Sequence, residues 1–204
     1  MATAAKSTVF EFRGIESVYY AKVLSDTKEK IEFDTPKYLA PVAELSKETE
    51  ASSEAHYYDN KALISLTSEG ADTVTLSLAG IPLDVLADIT GRYFDEATGS
   101  MSENVGEAPY IALLYKTTGT DGSDLYVTRY KCKASIPGET YTTKDDSTDA
   151  NGQELELTGI NTVHEFTKGG SAKALIVDTR FDKADVSGFF TAVKNIDTIA
   201  VKGA

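Results

Sequence analysis

His56, His164 and Cys132 are the side chains of this sequence best suited to nucleophilic or metal chemistry, and their spacing supports neither. The histidines have no His, Cys or paired carboxylate at metal-ligand spacing, and a single cysteine cannot build a zinc site. A Cys–His hydrolase would need Cys132 exposed beside an activating base. The alternation of "DLYVTRYKCKAS" (124–135) instead sets Cys132 on one face with Tyr126, Thr128, Tyr130 and Ala134, where a small buried side chain is the ordinary occupant. The acidic stretch "DDSTDANGQELE" suggests a calcium loop, but placing Gly152 at the turn puts Ser147 and Thr158 at the first and last ligand positions. EF-hand spacing therefore fails, and residues 145–152 read either as a solvated acidic loop or as an irregular, weak calcium site. "TGTDGSD" lacks the lysine and the following helix of a phosphate cradle, and no Gly-x-Ser-x-Gly nucleophile elbow is present. With 32 acidic residues, neighbouring carboxylates carry no weight as a glycosidase pair. The expectation is no catalytic residue, no cofactor and no metal.

One charged pattern is positive. Arg129, Lys131 and Lys133 alternate with the face just described, so a regular strand would line them up with Val127. They read as a solvated sheet face, or as a docking surface for an acidic segment of a neighbouring copy. The rest of the chain is acidic, with a net charge of −12 from 32 acidic and 20 basic residues. That balance repels phosphate backbones and anionic membranes, so counterion-release binding to nucleic acid and membrane attachment are both disfavoured. The single cysteine allows no intrachain disulfide. No secretory leader or membrane span is read in the sequence, so synthesis in a reducing host cytoplasm is expected.

The elements that would position these residues are almost all strands. Residues 17–33 read as two short strands around "SDTKEK". In residues 34–60 Pro36 and Pro41 would interrupt a central ladder. Glu44, Glu48, Glu50 and Glu54 accompany Lys47 without a helical apolar stripe, and "KYL" and "HYY" flank them. This stretch is expected to be a projecting loop or hairpin arm, poorly ordered alone and ordered on assembly. "KALISLTSEGADTVTLSLAG" reads as a hairpin turning at "SEGAD", its second half alternating Val74, Leu76 and Leu78 with Thr73, Thr75 and Ser77. Pro82 then opens a helix over about 82–92, with Leu83, Leu86, Ala87 and Thr90 on one face and Gly91 at its exit. Asp88 and Arg92 stand at ion-pair spacing on the opposite stripe. Strands are expected at 109–117, 124–135, 155–166 and 172–178, with a short helix at "VSGFFTAV". The fold class is mainly β, a sandwich or barrel-like domain over 1–204 with one flanking helix. The placement of about 182–204 is left open.

Several segments together, "TVTLSLAGIPLDVLADITGRYFDEATG" and "PYIALLYKT…DG…YVTRYKCKASIPGETYTTKDDSTDANGQELELTG", resemble the major tail proteins of long-tailed, non-contractile bacteriophages of Gram-positive hosts. The early "VYYAKVL…DTPKYLAPVAEL" is similar to that family's N-terminal segment, and the resemblance spans roughly residues 14–165. It implies a tail-tube fold, a β-sandwich with one helix, whose subunits form hexameric rings stacked into the conduit through which DNA leaves the capsid. It implies as partners further copies of the chain, the tape-measure protein and genomic DNA inside the tube, and tail terminator and baseplate or distal-tail proteins at its ends. The location implied is the virion. The family's long loop, here about Pro36–Asn60, reaches neighbouring subunits or the adjacent ring. Interface residues on this reading are Pro36, Tyr38, Pro41, Glu44, Lys47, Glu48, Glu50, Glu54, Tyr57 and Tyr58, with Arg129, Lys131 and Lys133 as their acceptor. An acidic lining would let DNA pass without phosphate contacts. The competing class is a virion decoration or carbohydrate-binding β-sandwich module. It predicts a stable monomer with an exposed aromatic platform.

Overall fold

A computed structural model describes residues 9–139, 143 and 152–203. Strands β1 (Phe12–Asp26), β2 (Ile31–Phe33), β3 (Lys37–Tyr38), β4 (Val42–Tyr58) and β5 (Lys61–Leu78) come first. Helix α1 (Leu83–Thr90) follows, and then β6 (Tyr93–Asp95), β7 (Ser100–Ser102), β8 (Tyr110–Gly119), β9 (Asp124–Ala134), β10 (Gln153–Gly159) and β11 (Ala174–Asp178). The main sheet is antiparallel in the order β2-β1-β8-β9-β10-β5-β4, with β11 added to β9 and β3 to β1. It branches along β9, whose first half (Leu125–Arg129) pairs β11 while its end (Cys132–Ala134) pairs β10. This division folds the sheet into a β-sandwich.

Two apolar clusters sit on the two sides of β8 and β9. The first contains Val18, Val74, Leu76, Ile111, Leu113, Val127, Leu155 and Leu157, with Leu86 and Ile89 of α1. The second contains Ala112, Leu114, Tyr130, Phe166, Leu175, Val177 and Phe189. A strand buried on both faces has no need of polar alternation, and the run "IALLY" in β8 is the result. Val186, Phe190, Val193, Ile196 and Ile199 pack on the second cluster, so the stretch through 182–203 covers the outer face of the sheet. It does so with turns, closed by Phe189 N–H to Val186 O and Thr191 N–H to Gly188 O, where a short helix is expected from sequence.

The helix forms where Pro82 and Gly91 predict. Gly91 takes the left-handed conformation at φ 70° and caps α1. A Cβ there would stand 2.1 Å from the Glu107 carbonyl oxygen, so the position excludes side chains twice over. Asp88 does not pair with Arg92. It binds Lys22 and Lys37 and accepts a 2.8 Å hydrogen bond from the Tyr20 hydroxyl, while Arg92 bonds Glu103.

The hairpin differs most from expectation. "SEGAD" is not a turn, because β5 runs unbroken through it and pairs with β4 from Val42↔Leu78 to Tyr58↔Lys61. The chain reverses instead at Asp59 and Asn60, whose φ values of 49° and 62° suit a two-residue turn matched to strand twist. The segment 42–58 is thus one strand of a hairpin arm, the second of the two expected readings, and not an irregular loop. Pro36, Tyr38 and Pro41 belong to the body, since β3 pairs Tyr19 and Tyr20 and the adjacent Leu39 and Ala40 are buried. The part that projects is the distal hairpin, where Lys61–Gly70 is exposed at every position.

Candidate functional site: an acidic sheet face and its projecting hairpin

Register assembles the first half of the site. Glu44 pairs Ser77, which pairs Glu154; Ser46 pairs Thr75, which pairs Glu156; Glu48 pairs Thr73, which pairs Thr158. These three rows form the solvent face of β4, β5 and β10, while Leu45, Val74, Leu76, Leu155 and Leu157 on the reverse face enter the first cluster. Glu50, Ser52 and Glu54 continue the face up the hairpin at the same two-residue spacing. The hydroxyl row of β5 keeps the glutamates of β4 and β10 two strands, about 10 Å, apart. That is about one Debye length at 0.1 M salt, so carboxylates directly opposite one another, a destabilising arrangement, are avoided. The face is carboxylate and hydroxyl, with no apolar side chain on these three rows. Strand β4 ends the sheet on this side and pairs only β5 among the described residues, leaving one edge of its ladder unmatched.

The second half is the root of the hairpin. Between Thr49↔Asp72 and Ala51↔Glu69 the pairing slips by one residue, so β5 bulges at Gly70 and Ala71. Lys173 closes the bulge from outside, donating to Gly70 O at 2.6 Å and to Asp72 Oδ1 at 3.0 Å. Asp72 also accepts from Thr49 Oγ1 (2.9 Å) and from Arg129 Nη1 (3.2 Å), with Lys47 Nζ at 3.6 Å. Arg129 Nη2 donates to the Tyr115 hydroxyl. Burial alone would raise the Asp72 carboxyl, but bonds from Lys173 and Thr49 and the charges of Lys47 and Lys173 outweigh it and hold the group below its ordinary value. One buried carboxylate therefore ties β4, β5, β9 and the segment before β11 together where the hairpin leaves the body.

Arg129, Lys131 and Lys133 do not share a face. The β8–β9 register passes from Leu113↔Arg129 to Ile111↔Cys132, so β9 carries a bulge between them. Arg129 turns inward to Asp72. Lys131 lies on the other side, bonded at 2.6 Å to Asp26, and Lys133 reaches Glu107 at 3.5 Å over the Tyr110 ring. The same bulge moves Cys132 away from Tyr126 and Tyr130 into the first cluster. Burial there pushes its thiol up to about 12, which removes any thiolate at neutral pH. Asp26 accepts from the backbone N–H groups of Val163 and His164 as well as from Lys131; burial works against its ionisation, but these bonds prevail and lower its value.

The hairpin tip is apolar. Tyr57, Tyr58, Leu63, Ile64 and Leu66 are all exposed there, beside the cation Lys61 at the turn. Glu50, Glu54, Tyr57 and Tyr58 thus stand on the projecting part, whereas Glu44, Lys47 and Glu48 lie on the body below it. The tyrosines flank the acidic stretch in the sequence, whereas Leu63, Ile64 and Leu66 of the other arm fall in the stretch that reads as a separate hairpin turning at "SEGAD". The acidic stretch 145–152 lies outside the described residues. Among the described residues no three His, Cys, Asp or Glu side chains are grouped to hold a metal ion, and no helix is long and apolar enough to cross a membrane.

A protein-family model described as phage tail tube protein matches residues 47–193. The match begins at the β4 strand and extends beyond the 14–165 resemblance into the segment that covers the second cluster. No curated protein matches the chain.

Proposed function

The chain belongs to the phage tail tube protein family, and on that premise we propose that it builds a tail tube by self-assembly, as stacked rings of six copies through which DNA is ejected. The family is a structural one, and no chemical turnover is assigned to this subunit. The observation that carries the conduit reading is the face formed by Glu44, Glu48, Glu154 and Glu156 with Ser46, Thr73, Thr75, Ser77 and Thr158. A ring that turns this face inward presents DNA with carboxylates and hydroxyls, bordered on the next strand by Lys133, which pairs Thr158 and reaches Glu107. Each phosphate contact with a basic wall would have to be broken by counterion exchange, and four glutamates against one ion-paired lysine keep such contacts few. The free edge of β4 offers a further strand position to the adjacent copy, which also removes an aggregation-prone edge.

The partners follow from the same reading: the tape-measure protein and then genomic DNA inside the tube, and the tail terminator and the baseplate or distal-tail proteins at its two ends. The non-contractile tail and the Gram-positive host come from the resemblance of the sequence. Negative-stain microscopy of the purified full-length chain tests the proposal: hollow tubes of constant width are expected, and a monomer that stays solitary at high concentration refutes it.

A further inference from the structure

The hairpin leaves the body with little to hold its direction. Residues 50–55 and 61–70 are exposed at every position, so no apolar contact seats either strand above the root. Two strands without a packed face are marginal alone and can pivot where they meet the sheet. The lever is long. From Gly70 to Lys61 the strand advances nine residues, about 30 Å at the antiparallel rise, so about 10° at the root displaces the tip by about 5 Å.

One side chain crosses from the body to the hairpin. Among the described residues, the bond from Lys173 Nζ to Gly70 O at 2.6 Å is the only side-chain hydrogen bond joining residues 50–70 to anything beyond β4 and β5. Gly70 and Ala71 have no partner in the β4 register, and Lys173 supplies the one that the Gly70 carbonyl lacks. A Cβ at Gly70 would stand 2.7 Å from Glu50 Oε2 and 3.0 Å from Glu50 Cβ, so the two strands close tightly at this point. The same ammonium reaches Asp72 Oδ1 at 3.0 Å, below the bulge. It therefore spans the pivot, with one acceptor on the arm and one on the body. Lys173 is itself fixed. Its carbonyl accepts from Tyr130 N–H at 2.9 Å, and the adjacent Ser171 and Ala172 bond the buried Thr162.

We propose that Lys173 is the positioning residue of the hairpin and holds the arm at one angle in the free subunit, before any partner touches it. An arm ordered only on assembly is the expectation from sequence. A subunit whose arm is already aimed loses less conformational freedom when it joins a tube, and so joins faster. That last step rests on the tube reading above, whereas the aim of the arm does not.

Spin labels at Leu63→Cys on the arm and Ile176→Cys on β11, both exposed positions, report the angle by pulsed electron–electron double resonance on the dilute full chain; Cys132 is buried and stays in place. With Lys173 present the distance distribution should be single and narrow. Lys173→Met, which leaves Asp72 paired with Arg129, should at least double its width, and Lys173→Arg should restore it. Lys173→Gln, too short to span both acceptors, repeats the measurement if the methionine variant folds poorly. Tube growth from the unlabelled proteins should slow at least threefold for Lys173→Met and recover for Lys173→Arg. A merely structural lysine would shift the unfolding midpoint and leave the distribution unchanged, and that result overturns the proposal. A broad distribution in the chain that keeps Lys173 overturns it too. A widened distribution with tubes growing at the native rate overturns the assembly role of Lys173 and leaves the tube reading intact. Native chain that forms no tubes overturns the tube reading and leaves the measured angle standing.

Discussion

Asp72 is the residue whose loss should cost the body most. Its side chain is 5% exposed, and the two cations it holds most closely, Arg129 and Lys173, are 9% and 16% exposed. Asp72→Asn keeps the size and removes the charge. It leaves two largely buried cations without a counter-ion, for which the expected loss is about 3–5 kcal/mol. Lys47, at 35% exposure, can turn to water and adds little. A domain of ordinary stability holds about 5–15 kcal/mol, so the variant should lose about a fifth of its margin or more. Guanidinium unfolding of the full chain measures this directly, as a lower midpoint at unchanged slope. The pH dependence has a definite sign. The folded carboxyl lies below its ordinary value, so its contribution is fully present above the unfolded pKa of about 3.9 and is lost as pH falls through the lower folded value. The gap between wild type and variant should therefore be constant at neutral pH and close below about pH 4. Combining Asp72→Asn with Lys173→Met should cost less than the sum of the single changes, because the second removes a charge that the first has orphaned. A loss below 1 kcal/mol for Asp72→Asn, or strict additivity with Lys173→Met, would refute the description of this cluster as one coupled unit.

Other changes have equally definite outcomes. Gly91→Ala meets both a left-handed backbone and the Glu107 carbonyl 2.1 Å from its Cβ, and should lower stability by at least about 2 kcal/mol in the same unfolding assay. Phe189 is 1% exposed in the second cluster, so Phe189→Ala should cost about 3–5 kcal/mol. A cost near zero would show that the C-terminal cover does not pack on the sheet. Shortening the hairpin by removing Ala51–Glu69 and closing the strands with a two-residue turn deletes no buried residue, so the thermal midpoint should hold within a few degrees while sedimentation shows no polymer. Normal-length tubes from that deletion would rule out a bridging role for the hairpin.

Local signals were legible where local physics decides. Pro82 and Gly91 bracket α1 to within a residue, and the alternation of Val74, Leu76 and Leu78 gives the buried face of β5 correctly. The acidic face was harder to read. Glu44, Glu48, Glu50 and Glu54 do recur on one parity, but the other parity holds Lys47, Thr49, Ala51 and Ser53, and a strand that leaves the body has no apolar face to mark it. Asp59 and Asn60 carry the actual turn, whereas the glycine in "SEGAD", which suggests one, serves the bulge at the hairpin root. The stripe of Arg129, Lys131 and Lys133 failed for a related reason, since one extra residue in β9 reverses every later side chain. The Asp72 cluster had no sequence signal, because its members lie up to 126 positions apart, from Lys47 to Lys173, and only the sheet brings them together. Family resemblance supplied the role that these patterns could not.

Electron cryomicroscopy of the assembled protein, at a resolution that traces β4 and β10, tests the central claim most directly. Glu44, Glu48, Glu154 and Glu156 are predicted to face the empty axis of a closed cylinder built from this chain alone. A cylinder with those four side chains on its outer surface, or an inner wall lined by lysine and arginine, would contradict it.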